Sequence, residues 1–209
     1  TAQRLTGHGS RERPDSAPRR LLRGLAKLEA APRRLELGPE STAMLQAFAT
    51  TEGPLAAFAL RAAAQPWILP LLGPRLIAAE PALAPLLDNT VNPTVLVAGG
   101  GNTNVIPGEA SAELDLRLLP GRTGAETLKW LAATLAVAGD PPLTLQVLHE
   151  RASSRSEAKG ALWDGLLAGI QAEYPGVPVM PILTPGGGTD SSFFRDRGVQ
   201  ALGCMPILA

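Results

Sequence analysis

Histidine and cysteine are scarce in this sequence, and that limits its chemistry. Its 209 residues hold one cysteine, Cys204, and two histidines, His8 and His149. One cysteine excludes an internal disulfide and a cysteine-based zinc site. Cys204 follows Ala201-Leu202-Gly203 in an apolar run, which favours burial as a small hydrophobe over service as a nucleophile. No His-x-Asp pair, His-Glu-x-x-His motif or Cys/His cluster supplies metal-ligand spacing. Charge of one sign is not in excess: 19 basic residues balance 19 acidic ones, so electrostatics make no case for nucleic acid or an anionic membrane surface. No run of 18 uncharged apolar residues exists, so no membrane span is expected. The first residues, Thr1-Ala2-Gln3, lack the basic-then-apolar pattern of a signal peptide, and opening without Met is compatible with a fragment. Compartment is not determined by any of these features.

What is present is a sizeable apolar fraction, 45%, which is enough for a real core. The length suits one large domain or two small ones. Arg4, Arg11, Arg13, Arg19, Arg20 and Arg23 crowd the beginning, but acidic residues and leucines interrupt them, which reads as a solvated helix face. A helix is predicted after Pro14-Asp15-Ser16, with Leu21, Leu25 and Leu28 on one face and Pro32 as its stop. Residues 33–90 are rich in Ala and Leu, with prolines at 39, 54, 66, 70, 74, 81 and 85, and read as several short helices. Within them Trp67, Ile68, Leu69, Leu71 and Leu72 form an apolar patch that reads as core, an interface or a substrate-channel wall.

Strands are predicted next. Residues 94–97 form a short one. Residues 109–118 alternate, with Ala110, Ala112, Leu114, Leu116 and Leu118 facing one way and Glu109, Ser111, Glu113, Asp115 and Arg117 the other. Thr123-Gly124-Ala125-Glu126 is a capping box, opening a helix with Leu128, Leu131 and Leu135 inward. Leu143, Leu145, Val147 and His149 suggest a further strand. Residues 1–150 therefore read as a split βαβ layer interrupted by the helical insert at 33–90. A polar joint runs from Arg151 to Ser156. Beyond it, a helix with Leu162, Leu166, Ile170 and Tyr174 in register, a strand at 177–183, a glycine loop at 184–190, a short helix and a strand from Val199 form an αβαβ piece. Such a piece needs a larger parallel sheet to complete it. The fold class is α/β, divided at 1–150 and 151–209.

The residues by themselves leave their roles open. His8 is either a solvated loop histidine or an N–H donor brought close by its flanking glycines. Arg117 lies on the polar face of its strand, where it can grip a carboxylate bidentately or pair with Glu113 or Asp115. Gly188 and Thr189 are either a plain glycine turn or an anion-binding loop. Asp190 reads as a helix N-cap.

Three segments carry a resemblance when taken in order: Thr6-Gly7-His8-Gly9-Ser10, Asn104-Val105-Ile106-Pro107-Gly108-Glu109 leading to Asp115-Leu116-Arg117, and Gly187-Gly188-Thr189-Asp190-Ser191. Together they resemble the lid domain and the start of the C-terminal catalytic segment of the dinuclear zinc aminoacylase/carboxypeptidase family. The insert is similar to the enlarged lid of its carboxypeptidase S and N-acyl-amino-acid hydrolase branch. The resemblance implies a hydrolase of peptides or N-acyl amino acids with a free carboxylate, and a homodimer formed through the lid. It implies two zinc ions and a catalytic glutamate, all held outside this chain. One zinc-ligand histidine would lie just beyond its end. It further implies that His8 polarises the scissile carbonyl, often across the dimer. Asn104 and Arg117 would contact substrate, and Gly188 and Thr189 would bind its carboxylate. Ser192 departs from the branch, which often has Arg there. The isolated chain is expected to be inactive, and a non-catalytic dimerisation or interaction module is the rival reading.

Overall fold

The computed structural model describes residues 1–180, 182 and 188–204. In chain order these form β1 (Ala2–Gln3), β2 (Gly7–His8), α1 (Ala17–Glu29), α2 (Pro39–Thr51), α3 (Pro54–Ala63), α4 (Leu69–Ala79), a 3-10 turn (Pro81–Leu83), α5 (Ala84–Leu87), β3 (Thr90–Ala98), β4 (Val105–Ile106), β5 (Glu109–Arg117), α6 (Gly124–Leu135), α7 (Ala161–Glu173) and α8 (Ser191–Arg195). The fold is mixed α/β. It divides into two compact units, Thr1–Arg34 with Asn89–Arg151, and Leu35–Asp88 with Ala152–Ala209.

The first unit is built on a three-stranded antiparallel sheet of order β1-β5-β3. The alternating strand, β5, takes the centre, with Ala2 opposite Ala110 on one side and Thr90 opposite Arg117 on the other. β5 therefore separates β1 from β3, as a split βαβ layer requires. β3 is longer than predicted and includes Pro93, which has no N–H for a ladder. An edge position and a register shift between Pro93 and Val95 accommodate it. Helices α1 and α6 pack together, and α1 lies on β1 and β5. Ala17 and Leu21 of α1 bury against Ala2 and Ala110, with Leu25, Ala112 and Leu143 around them. Small residues on both sides let helix and sheet approach closely.

Two expectations for this unit are corrected. The early arginines are not all on a solvated face: Arg20 is 3% exposed. Its guanidinium donates to the carbonyls of Gln3 at 3.0 Å and Pro141 at 2.5 Å. Arg23 likewise reaches Asp140 at 2.6 Å. The sheet and the loop after α6 thus capture cations that helical periodicity assigns to water. The strand expected at 143–149 is also absent. Thr144 and Thr1 exchange one pair of backbone bonds, of 2.9 and 2.8 Å. One facing residue is too few to sustain a ladder.

In the second unit the prolines start helices rather than only breaking them. Pro39, Pro54 and Pro70 sit in the first two positions of α2, α3 and α4, where a missing N–H costs nothing. These helices enclose a core of Met44, Leu45, Ala49, Ala57, Leu60, Ala64, Leu69, Ile77, Leu83, Leu86 and Leu87. The apolar patch of the sequence is split by this packing, since Leu69 is 2% exposed and Trp67 79%. Helix α7 forms as predicted, but none of its residues is buried. Residues 177–180 and 199–204 are not strands. A parallel strand needs a neighbour to receive its hydrogen bonds, and none is present among the described residues. Side chains hold the last segment instead: Arg195 donates to the Ala201 carbonyl and Ser156 Oγ accepts the Ala201 N–H. Residues 181 and 183–187, which include part of the expected strand and of the glycine loop, lie outside the described residues. Cys204 is exposed rather than buried, since among the described residues no strand covers it.

Candidate functional site

Residues 4–9 and 104–108 run antiparallel and are joined at several points. Arg4 N–H donates to the Gly108 carbonyl at 2.7 Å, Gly7 lies opposite Ile106, His8 lies opposite Val105, and Gly9 N–H donates to the Asn104 carbonyl at 2.6 Å. Glycine gives the two segments room to meet. A Cβ at Gly9 would come 3.2 Å from the Asn104 carbonyl oxygen, and one at Gly108 would come 2.7 Å from that of Arg4. Arg13 braces the turn by donating to the Thr6 carbonyl at 3.1 Å.

This pairing brings together His8 and Asn104, which are 96 positions apart in sequence; the Asn104 amide lies 3.4 Å from His8 Nε2. The other ring nitrogen, Nδ1, faces Ser10, with Oγ at 2.8 Å and the backbone N–H donor at 3.2 Å. His8 itself is exposed. A hydrogen-bonding imidazole edge is thus presented to solvent on a short, two-stranded ribbon with glycines on both sides of the histidine, a geometry suited to meeting an oxygen of a bound molecule. Ser10, Arg13 and Gly108 receive no role from the sequence alone. Ser10 lies two residues from His8, which makes no triad, yet that spacing is what lets a turn fold its N–H back onto the ring.

Arg117 is not in this cluster. Arg117 ends β5, eight residues beyond Glu109, or about 26 Å along the strand at ~3.3 Å per residue. It is half-exposed and donates to Asp115 at 2.7 Å. Gly188 and Thr189 belong to the second unit, and both are exposed. The Thr189 carbonyl accepts from Ser192 Oγ at 2.8 Å and Ser192 N–H at 3.1 Å, so this segment leads into α8. Asp190 occupies the N-cap position of α8 without a side-chain capping bond.

Among the described residues, no three His, Cys, Asp or Glu side chains converge where they could hold a metal ion. No helix among them is long and apolar enough to cross a membrane. The outer edge of β3 carries no strand among the described residues, and Val95, Leu96 and Val97 are exposed on it.

Residues 1–141 match the family model described as the peptidase dimerisation domain, a span that includes the β2–β4 pair and the three-stranded sheet. No curated protein gives a significant match to the chain.

Proposed function

Because this chain belongs to the peptidase dimerisation domain family, we propose that it is the lid of a zinc-dependent amidohydrolase that cleaves peptides or N-acyl amino acids bearing a free carboxylate. In this reading residues 1–150 are the lid, with residues 33–90 inserted in it, and 151–209 belong to the catalytic domain. The zinc ligands lie outside this chain, and the described residues do not form a metal site. The part of the reaction that falls to this chain is therefore the handling of the substrate's carbonyl oxygen and carboxylate.

The observation that carries the proposal is the pairing of β2 with β4 inside the family-matched region, which sets His8 beside Asn104. As amide cleavage proceeds, negative charge builds on the carbonyl oxygen. An imidazole N–H aimed at that oxygen stabilises the transition state more than the ground state. Asn104 supplies a second polar group beside it. Asn104 and Arg117 are assigned to contact with the substrate, and Gly188 and Thr189 to its carboxylate. The apolar edge of β3, which carries no strand among the described residues, is assigned to a second copy of the chain, since exposed strand edges readily pair.

The test is His8→Ala in the complete enzyme. Removing one oxyanion donor should lower kcat about 10²–10³-fold and leave KM nearly unchanged. A change within about threefold, the size expected of an ordinary surface substitution, would reject the assignment.

A further inference from the structure

The turn at residues 8–11 also determines which nitrogen of His8 carries the proton. Two arrangements satisfy the distances. In one, Nδ1–H donates to Ser10 Oγ and Nε2 accepts from the Asn104 amide. In the other, Nδ1 accepts from Ser10 and Nε2 carries the proton. Ser10 N–H decides between them, because it points at Nδ1 from 3.2 Å and a backbone donor cannot be reversed. Two N–H groups would face each other in the first arrangement. The Asn104 amide, by contrast, can turn over and present oxygen to Nε2 at the same 3.4 Å. The Ser10 hydroxyl, 2.8 Å from Nδ1, rotates to share that nitrogen's single lone pair with the N–H, as a bifurcated contact.

We infer that Ser10 is a positioning residue: through its N–H and its hydroxyl it holds His8 as an Nε2–H donor. Nδ1 is turned back into the chain's own turn and Nε2–H outward, capped by Asn104 until a carbonyl oxygen replaces the amide. The turn is closed independently, since Arg11 N–H donates to the His8 carbonyl at 3.1 Å. The hold therefore belongs to the residues 8–11 themselves. Its catalytic consequence rests on the proposed role of His8; its structural content does not.

The chain contains its own control, since its other histidine, His149, is exposed in an irregular segment. Long-range ¹H–¹⁵N correlation spectra of ¹⁵N-histidine-labelled chain would be recorded at about pH 9, where an ordinary imidazole is neutral. His8 should carry its proton on Nε2, with Nδ1 showing the upfield shift of a hydrogen-bonded acceptor relative to His149. Ser10→Ala should move that Nδ1 signal toward His149, and Ser10→Thr should restore it. In the complete enzyme Ser10→Ala should lower kcat about two- to tenfold, the worth of one net hydrogen bond, with KM unchanged and Ser10→Thr again restoring it. A proton on Nδ1 overturns the inference, and an Nδ1 signal indifferent to Ser10→Ala overturns the part assigned to the Ser10 hydroxyl, since Ala keeps the backbone N–H. So does unchanged turnover in Ser10→Ala where His8→Ala is severely impaired. If the spectra behave as expected while His8→Ala and Ser10→Ala both keep full turnover, the hold stands and the proposed role of His8 fails.

Discussion

The carbonyl oxygen of Arg4 lies where a side chain at position 108 would begin, 2.7 Å from the Cβ that Gly108 lacks. The same two residues share a backbone hydrogen bond of 2.7 Å, from Arg4 N–H to the Gly108 carbonyl. Contact and bond together fix how closely the strand leading to His8 approaches the one leading from Asn104. Gly108→Ala should force them apart and destabilise the first unit by about 1–3 kcal/mol, the usual cost of overpacking. Urea unfolding checks the stability, and loss of the contact between the His8 ring and the Asn104 side chain in NMR spectra checks the displacement.

The second unit depends on burial that can be tested on one leucine. Leu45 is fully buried, whereas Leu55 on a neighbouring helix is 84% exposed. Leu45→Ala should cost about 2–5 kcal/mol, through lost apolar transfer and the cavity left behind. Leu55→Ala should stay within about 0.5 kcal/mol. Equal effects in thermal unfolding would contradict the described core.

Helix α6 begins at a reciprocal cap. Thr123 Oγ1 accepts Glu126 N–H at 3.3 Å, and Glu126 Oε2 accepts Thr123 N–H at 3.4 Å. Thr123→Ala should lower stability by about 0.5–2 kcal/mol, while Thr123→Asn or Thr123→Ser retains most of it. Chemical denaturation of the three variants gives the ranking.

The edge of β3 predicts the effect of charge on assembly. Leu96 is 62% exposed at that edge. In a symmetric dimer formed there, Leu96→Lys places a charge in the interface twice. The dimer dissociation constant should rise more than about tenfold, read by sedimentation equilibrium. Insensitivity of a stable dimer to Leu96→Lys would put the interface on another face. If His8 acts across that dimer, mixing His8→Ala subunits with subunits lacking the catalytic glutamate should recover part of the activity. Verified mixed dimers without recovery would confine His8 to its own subunit.

Much of this architecture is local, and local features are legible in the sequence. The cap at Thr123 and Glu126, the stop before Pro32, the alternation along β5 and the short helices of the insert each arise from residues within a few positions of one another. Hydrogen-bond reach and steric limits act over that range, so residue type and spacing suffice. The motif around His8 is legible for the same reason, but only as a glycine-flanked histidine with two possible readings.

Tertiary structure decided what depends on partners distant in the chain. It gave Arg20 a buried place on the carbonyls of Gln3 and Pro141, because the sheet and the loop after α6 meet there. It split the apolar patch between buried Leu69 and exposed Leu71, because only one side of α4 faces the core. It left 143–149 and 199–204 without strands, because a strand exists only with a neighbour to receive its hydrogen bonds. It also carried Asn104 to His8 across 96 positions, through a β2–β4 pairing that no local periodicity encodes.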